Sequence, residues 1–171
     1  GLHNSQAFDL AADEWAKFLK DYPEDKRVSE ARHYLGICLM QKQDYAGAAT
    51  VLGQLLAADA KFEKAPSSQL YLGLAQFNLA RTGKADRYPA AEKTLAELLA
   101  KHPAGTHAAQ AWYYRGEAEY AQGKKAEAVK SYRQFVADHA DDALFPDALY
   151  ALGVALDETG KRKEAAALYD D

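Results

Sequence analysis

The sequence predicts an all-α protein, a solenoid of antiparallel helix pairs, and three observations carry that prediction. Glycines stand at positions 36, 73, 116 and 153, each inside a similar apolar-periodic stretch: Ala31-Arg32-His33-Tyr34-Leu35-Gly36, Gln69-Leu70-Tyr71-Leu72-Gly73, Ala111-Trp112-Tyr113-Tyr114-Arg115-Gly116 and Ala148-Leu149-Tyr150-Ala151-Leu152-Gly153. Their spacings of 37, 43 and 37 residues fall in the range at which stacked supersecondary units recur. After each glycine comes a polar break and then a second periodic run, in which Ala48, Ala91, Ala128 and Ala165 each precede a larger residue (Leu52, Leu95, Tyr132, Tyr169) by one helical turn.

The elements follow in order. Residues 1–28 read as the second helix of a preceding repeat, helical over 8–21, with Phe8, Ala11, Trp15, Phe18 and Pro23 in the register of Tyr45, Ala48, Leu52, Leu55 and Ala60. Repeat one, 29–65, predicts a first helix near 28–41 and a second near 45–58. Repeat two, 66–108, predicts helices near 66–80 and 88–101; it needs eighteen residues from glycine to alanine where the others need twelve, which places a six-residue insertion near 81–86. Repeat three, 109–145, predicts helices near 107–121 and 125–138. Repeat four, 146–171, predicts helices near 146–158 and 162–170 and is truncated. Pro66, Pro89 and Pro146 open helices, where a missing N–H is no loss, and Pro23 and Pro103 follow helix ends. Neither end shows a polar-faced capping helix, so the chain is expected to be a piece of a longer protein and to self-associate through its uncapped ends, with Phe8, Trp15, Phe18, Leu168 and Tyr169 left without a packing partner.

A glycine inside a helix costs about 1 kcal/mol relative to alanine, so one at the same place in four repeats calls for close helix contact. The expected partner is the alanine of the second helix, with the two backbones nearly touching. Trp15, Leu52, Leu95, Tyr132 and Tyr169 are then expected to wedge into the next repeat.

This pattern resembles the tetratricopeptide repeat, best in Trp112, Gly116, Gly123, Ala128, Tyr132 and Phe135, and the resemblance covers nearly the whole chain. It implies a right-handed superhelix of about four repeats plus a leading half-repeat, and a non-enzymatic protein-protein interaction scaffold. In that family the first helices line a concave groove that holds a partner segment. Carried over by register, the groove positions are His33, Ile37 and Met40; Leu70, Leu74, Phe77 and Asn78; Tyr113, Glu117 and Tyr120; and Tyr150, Val154 and Asp157. Members that grip a C-terminal carboxylate use Lys, Arg and Asn there; here Lys and Arg are missing and acids stand at Glu30, Glu117, Asp147 and Asp157, which disfavours such a clamp. The expected partner is a protein or peptide segment with apolar anchors, with basic residues toward repeats three and four. Two alternatives stay open: a structural spacer or oligomerisation segment, and the recruiting domain of a catalytic parent. The ladder Tyr34, Tyr71 and Tyr114 reads either as inter-repeat packing or as binding surface. The 37-residue period and the linker Asp21-Tyr22-Pro23-Glu24-Asp25 are similar to bacterial envelope members of the family, of the Tol-Pal coordinator and outer-membrane assembly lipoprotein type, which implies a periplasmic or cell-envelope location.

Composition and motifs exclude several other classes. The net charge is -4, with Lys and Arg scattered among acids, so no basic stripe suggests nucleic acid. No apolar run approaches a bilayer span, so no direct membrane insertion is expected. Thr82-Gly83-Lys84-Ala85 lacks both the earlier glycine and the hydroxyl residue of a phosphate-binding loop. His3, His33, His102, His107 and His139 have no metal-ligand spacing. Cys38, the single cysteine, is expected in the core. No catalytic residue, metal or cofactor is predicted.

Overall fold

A computed structural model describes residues 2–170, with side chains from Ser5 onward; Gly1, Asp171 and the side chain of His3 lie outside the described residues. The elements are α1 (Leu2–Asp21), α2 (Val28–Gln41), α3 (Tyr45–Ala58), α4 (Ala65–Arg81), a 3-10 turn over Ala85–Arg87, α5 (Tyr88–Lys101), α6 (Ala108–Ala121), α7 (Lys125–Asp138), α8 (Phe145–Glu158) and α9 (Arg162–Ala167). No strand occurs among the described residues. The chain forms two compact units, one up to Ala85 and one from Asp86.

The polar breaks within each repeat are one recurring hydrogen-bonded device. After α2, the Asp44 N–H donates to the Leu39 carbonyl at 2.8 Å and the Gln43 N–H to that of Met40 at 3.0 Å; after α6, Lys124 and Gly123 bond in the same way to Glu119 and Tyr120, both at 2.9 Å. This is the Schellman closure, which satisfies orphan carbonyls and needs one residue in the left-handed region. Gly123 (φ 80°) and Gly160 (φ 81°) fill that place, but in repeat one Gln43 does so at φ 63°. Asp44 then caps α3, accepting from the Gly47 N–H at 2.9 Å. Between repeats the linkers 22–27, 59–64, 102–107 and 139–144 share another pattern, three successive bonds that step along the chain. In the second linker these run from Asp59 to Leu55, Phe62 to Asp59 and Ala65 to Phe62.

In the first unit, each helix packs on the next, and α2 also touches α4. The core there is Ala12, Leu35, Cys38, Ala48, Val51, Leu52 and Ala75, with Phe8, Trp15, Leu19, Met40 and Tyr71 packed against it. Phe8 and Trp15 therefore have partners, contrary to expectation. Trp15 stacks on Tyr34 of α2 at 5.6 Å, and Phe18 lies against Tyr22 at 5.4 Å and under the Arg27 guanidinium at 5.1 Å. In the second unit, α5 to α9 pack in succession, and the buried residues there include a cluster of Ala128, Val129, Tyr132, Leu152, Ala155, Leu156 and Ala165 and another of Ala109, Phe135 and Ala148.

Gly36, Gly116 and Gly153 do make a close approach, but the residue that fills the space is different from the one expected. A Cβ on Gly116 would lie 2.7 Å from Tyr132 Cε1, and Leu52 and Tyr169 take the same place over Gly36 and Gly153. The large residue of the second helix, rather than its alanine, lies in the notch of its own repeat. One helix is also shorter than expected: α9 stops at Ala167, and Leu168, Tyr169 and Asp170 follow in a tighter turn with bonds to Ala165, Ala166 and Ala167. Leu168 still packs on the core, whereas Tyr169 is 57% exposed although its ring covers Gly153.

Candidate functional site

On α6, residues Tyr113, Glu117 and Tyr120 are spaced by four and three and so share a helix face. Asp147, Tyr150, Ala151 and Val154 share a face of α8 in the same way. These two faces, with Tyr132 of α7, line a cavity of about 260 Å³. Tyr132 is almost wholly buried, and its hydroxyl donates to Glu117 Oε1 at 2.6 Å. Tyr113 leans on Tyr132, Tyr114 and Phe135 with ring centroids 5.0 to 6.3 Å away. Tyr150 is 68% exposed.

The electrostatics of the cavity follow from this enclosure. Burial pushes the Glu117 carboxyl above its ordinary range; the Tyr132 hydrogen bond opposes that shift and the nearby Asp147 adds to it. Burial also raises the Tyr113 and Tyr132 phenols, with the Glu117 charge adding to both, so both hydroxyls stay protonated. At the edge, the Tyr120 hydroxyl donates to both carboxylate oxygens of Glu158, at 2.8 and 2.7 Å, and this bond raises the phenol. Glu158 is also paired with Lys125 at 2.9 Å, and the Tyr120 bond followed by this pairing lowers its carboxyl.

Of the positions carried over by register, Tyr113, Glu117, Tyr120, Tyr150 and Val154 come together around this cavity. Asp157 is paired instead with Arg162 at 3.0 Å. In the first unit, Ile37, Met40 and Leu74 are half-buried, whereas His33, Leu70 and Phe77 are 3%, 3% and 7% exposed and belong to the interior. His33 Nδ1 is 2.7 Å from the Ser68 hydroxyl, which itself donates to the Lys64 carbonyl. Asn78 is bonded within its own helix, donating to the Leu74 carbonyl at 2.9 Å and accepting from Arg81 at 3.0 Å. Of the tyrosine ladder, Tyr34 stacks on Trp15 and accepts from Lys64 Nζ at 2.7 Å, and Tyr71 packs on the core.

Tyr132 is the cavity residue that sequence reasoning assigned to packing alone. A signal for it exists in the repeats themselves. The residue after the glycine, and the larger residue sixteen positions after the glycine (twenty-two in repeat two, with its insertion), are Ile37 and Leu52 in repeat one, Leu74 and Leu95 in repeat two, but Glu117 and Tyr132 in repeat three. Repeat four holds Val154 and Tyr169 there, so the carboxyl of Glu117 is what repeat three alone adds, and a carboxyl set opposite a hydroxyl points to a bonded pair.

Tetratricopeptide repeat matches cover residues 4–61, 83–143 and 119–171, and the chain belongs to that family. Members of the family are generally non-catalytic protein-interaction scaffolds. A MamA crystal structure is similar with a TM-score of 0.79 at 23% identity, over 98% of this chain and 87% of that one. The nearly identical TPR-like repeats of Podosopora anserina, described as those of a putative kinesin light chain, align with a TM-score of 0.71 at 21% identity, over 95% and 82%. A thermophilic TPR protein of Thermus thermophilus gives 0.63 at 21% identity, over 98% and 82%. These likenesses show the fold class, an α-solenoid of tetratricopeptide repeats. No curated protein matches the chain. Among the described residues, no helix is long and apolar enough to cross a membrane, and no three His, Cys, Asp or Glu side chains are grouped to hold a metal ion.

Proposed function

We propose that this chain is a non-enzymatic scaffold that binds a segment of a partner protein on the faces of its first helices, with the cavity between α6 and α8 as the principal contact. The observation that carries this reading is the cluster of Tyr113, Tyr120 and Tyr150 around one concavity, with Tyr150 68% exposed. Aromatic side chains in a concave, partly desolvated setting are what interface hot spots are made of. In the first unit, Ile37, Met40 and Leu74 are the groove candidates whose half-buried side chains a partner can reach.

Panning a displayed library of random peptides on the folded chain tests the proposal. Selected peptides should lose about tenfold to a hundredfold in affinity for Tyr150→Ala, as expected for a hot spot of about 1 to 3 kcal/mol. Helical content should be unchanged, because Tyr150 is exposed. A panel with no binder sensitive to Tyr150→Ala would sink the proposal and favour the spacer reading. Self-association is a subordinate reading, favoured by Leu10 at 65% and Tyr169 at 57% exposure near the two ends of the chain. An envelope location rests on the linker resemblance alone, and cell fractionation tests it.

A further inference from the structure

We propose that the cavity between α6 and α8 receives the guanidinium of an arginine carried by the partner segment, set against the tyrosine rings and paired with Glu117 and Asp147. This inference rests on the scaffold reading and specifies what its principal contact recognises.

Four observations converge on it. The first is charge. Glu117 and Asp147 both line the cavity, and neither has an ion pair among the described residues. Size is the second: at about 260 Å³ the cavity lies below the roughly 300–1,000 Å³ of pockets that take a whole small molecule, so it suits a single side chain.

Wall chemistry is the third. Tyr113, Tyr120 and Tyr150 line the cavity; aromatic rings attract cations, as the Lys125 ammonium 6.0 Å from the Tyr120 ring already shows at the edge, and a guanidinium is planar, weakly hydrated and able to fork across two carboxylates, where an ammonium is a compact and strongly hydrated point charge. The fourth observation is internal to the repeats. Repeats one, two and four hold Ile37 with Leu52, Leu74 with Leu95 and Val154 with Tyr169 at the register positions where repeat three holds Glu117 with Tyr132, so the carboxyl is the change found in repeat three alone. Burying a carboxyl carries a desolvation cost that Ile37, Leu74 and Val154 do not incur at the same register position. Stability alone therefore gives no reason for the exchange, while recognition of a cation does. Burial of Glu117 adds to this, since a carboxylate poorly served by water has most to gain from a cation that enters with its own donors.

Titrating the folded chain with N-acetyl-arginine N-methylamide, followed by amide and tyrosine resonances, tests the assignment. Saturable shifts confined to α6, α8 and Tyr132 are expected, with binding about tenfold or more tighter than for the neutral citrulline analogue. Glu117→Gln should remove that preference without lowering the melting temperature, because the amide oxygen still accepts from Tyr132. Asp147→Asn, at an exposed position that carries no packing, should weaken it as well. Citrulline binding equally well, a lysine analogue binding as tightly as arginine, or an arginine preference that survives both substitutions would each overturn the proposal. Library peptides that depend on Tyr150 but contain no required arginine would sink this inference and leave the scaffold standing. Loss of all Tyr150-dependent binding would remove the scaffold reading itself.

Discussion

At the scale of single residues, two glycines inside helices should respond in opposite ways. Gly116 lies under the ring of Tyr132, which is buried and tethered through its hydroxyl to Glu117, so the ring cannot give way. Gly116→Ala should cost about 1 to 3 kcal/mol in thermal melts, as overpacking does. A Cβ on Gly53, inside α3, meets nothing within 4 Å, and Gly53→Ala should stabilise by about 0.5 to 1 kcal/mol. Equal melting temperatures for the two variants would refute this reading of the notch. A third substitution works through the backbone: Gln43 holds the left-handed position that Gly123 and Gly160 hold elsewhere, so Gln43→Gly should raise the melting temperature by relieving strain of about 1 kcal/mol. That the repeat glycines mark close contact was legible from their recurrence. Which residue they contact was not. Register identifies equivalent positions, but residues one turn apart on the second helix, such as Ala128 and Tyr132, share a face, and only the way the two helices cross decides which of them enters the notch.

At the scale of elements, helix boundaries were the most legible feature, because the breaks at 42–44, 122–124 and 159–161 carry the polar and glycine residues that a Schellman closure needs. The end of α9 was less so, since Leu168 and Tyr169 continue the apolar pattern while the backbone tightens beneath them. Between elements, the contact of His33 on α2 with Ser68 on α4 has a consequence in pH. Burial, and then the positive charge of Lys64, hold the imidazole below its ordinary value of 6.5. The folded chain therefore binds fewer protons here than the unfolded chain, and stability present above about pH 6.5 is lost as the pH falls toward the lowered value. His107, lowered by burial and by His102, acts in the same direction. Melting temperatures between about pH 7.5 and pH 5.5 should decline, and His33→Gln, which can still reach Ser68, should flatten the decline. An unchanged slope in that variant would assign the pH dependence to other groups.

At the scale of the molecule, the register placed the whole groove stripe on the first helices, yet the cavity unites only the positions contributed by α6 and α8. Period alone cannot show that His33, Leu70 and Phe77 are enclosed, because side-chain size at neighbouring positions decides whether a stripe lies open or is roofed over. Sedimentation offers a test of the two ends: Leu10→Ser with Tyr169→Ser should lower any self-association seen at high concentration, and a wild-type chain that stays monomeric there would dismiss it. The linkers 22–27, 59–64, 102–107 and 139–144 close with one shared set of backbone bonds, and this bears on how such a chain can change over time. A strand of gene broken inside one linker and rejoined inside another restores the same turn, with every donor and acceptor of the joint matched again. Insertions and deletions that respect this unit leave no ragged seam, so the molecule can gain or lose length by whole repeats, while a shift of one or two residues within a helix turns its apolar stripe away from its neighbours.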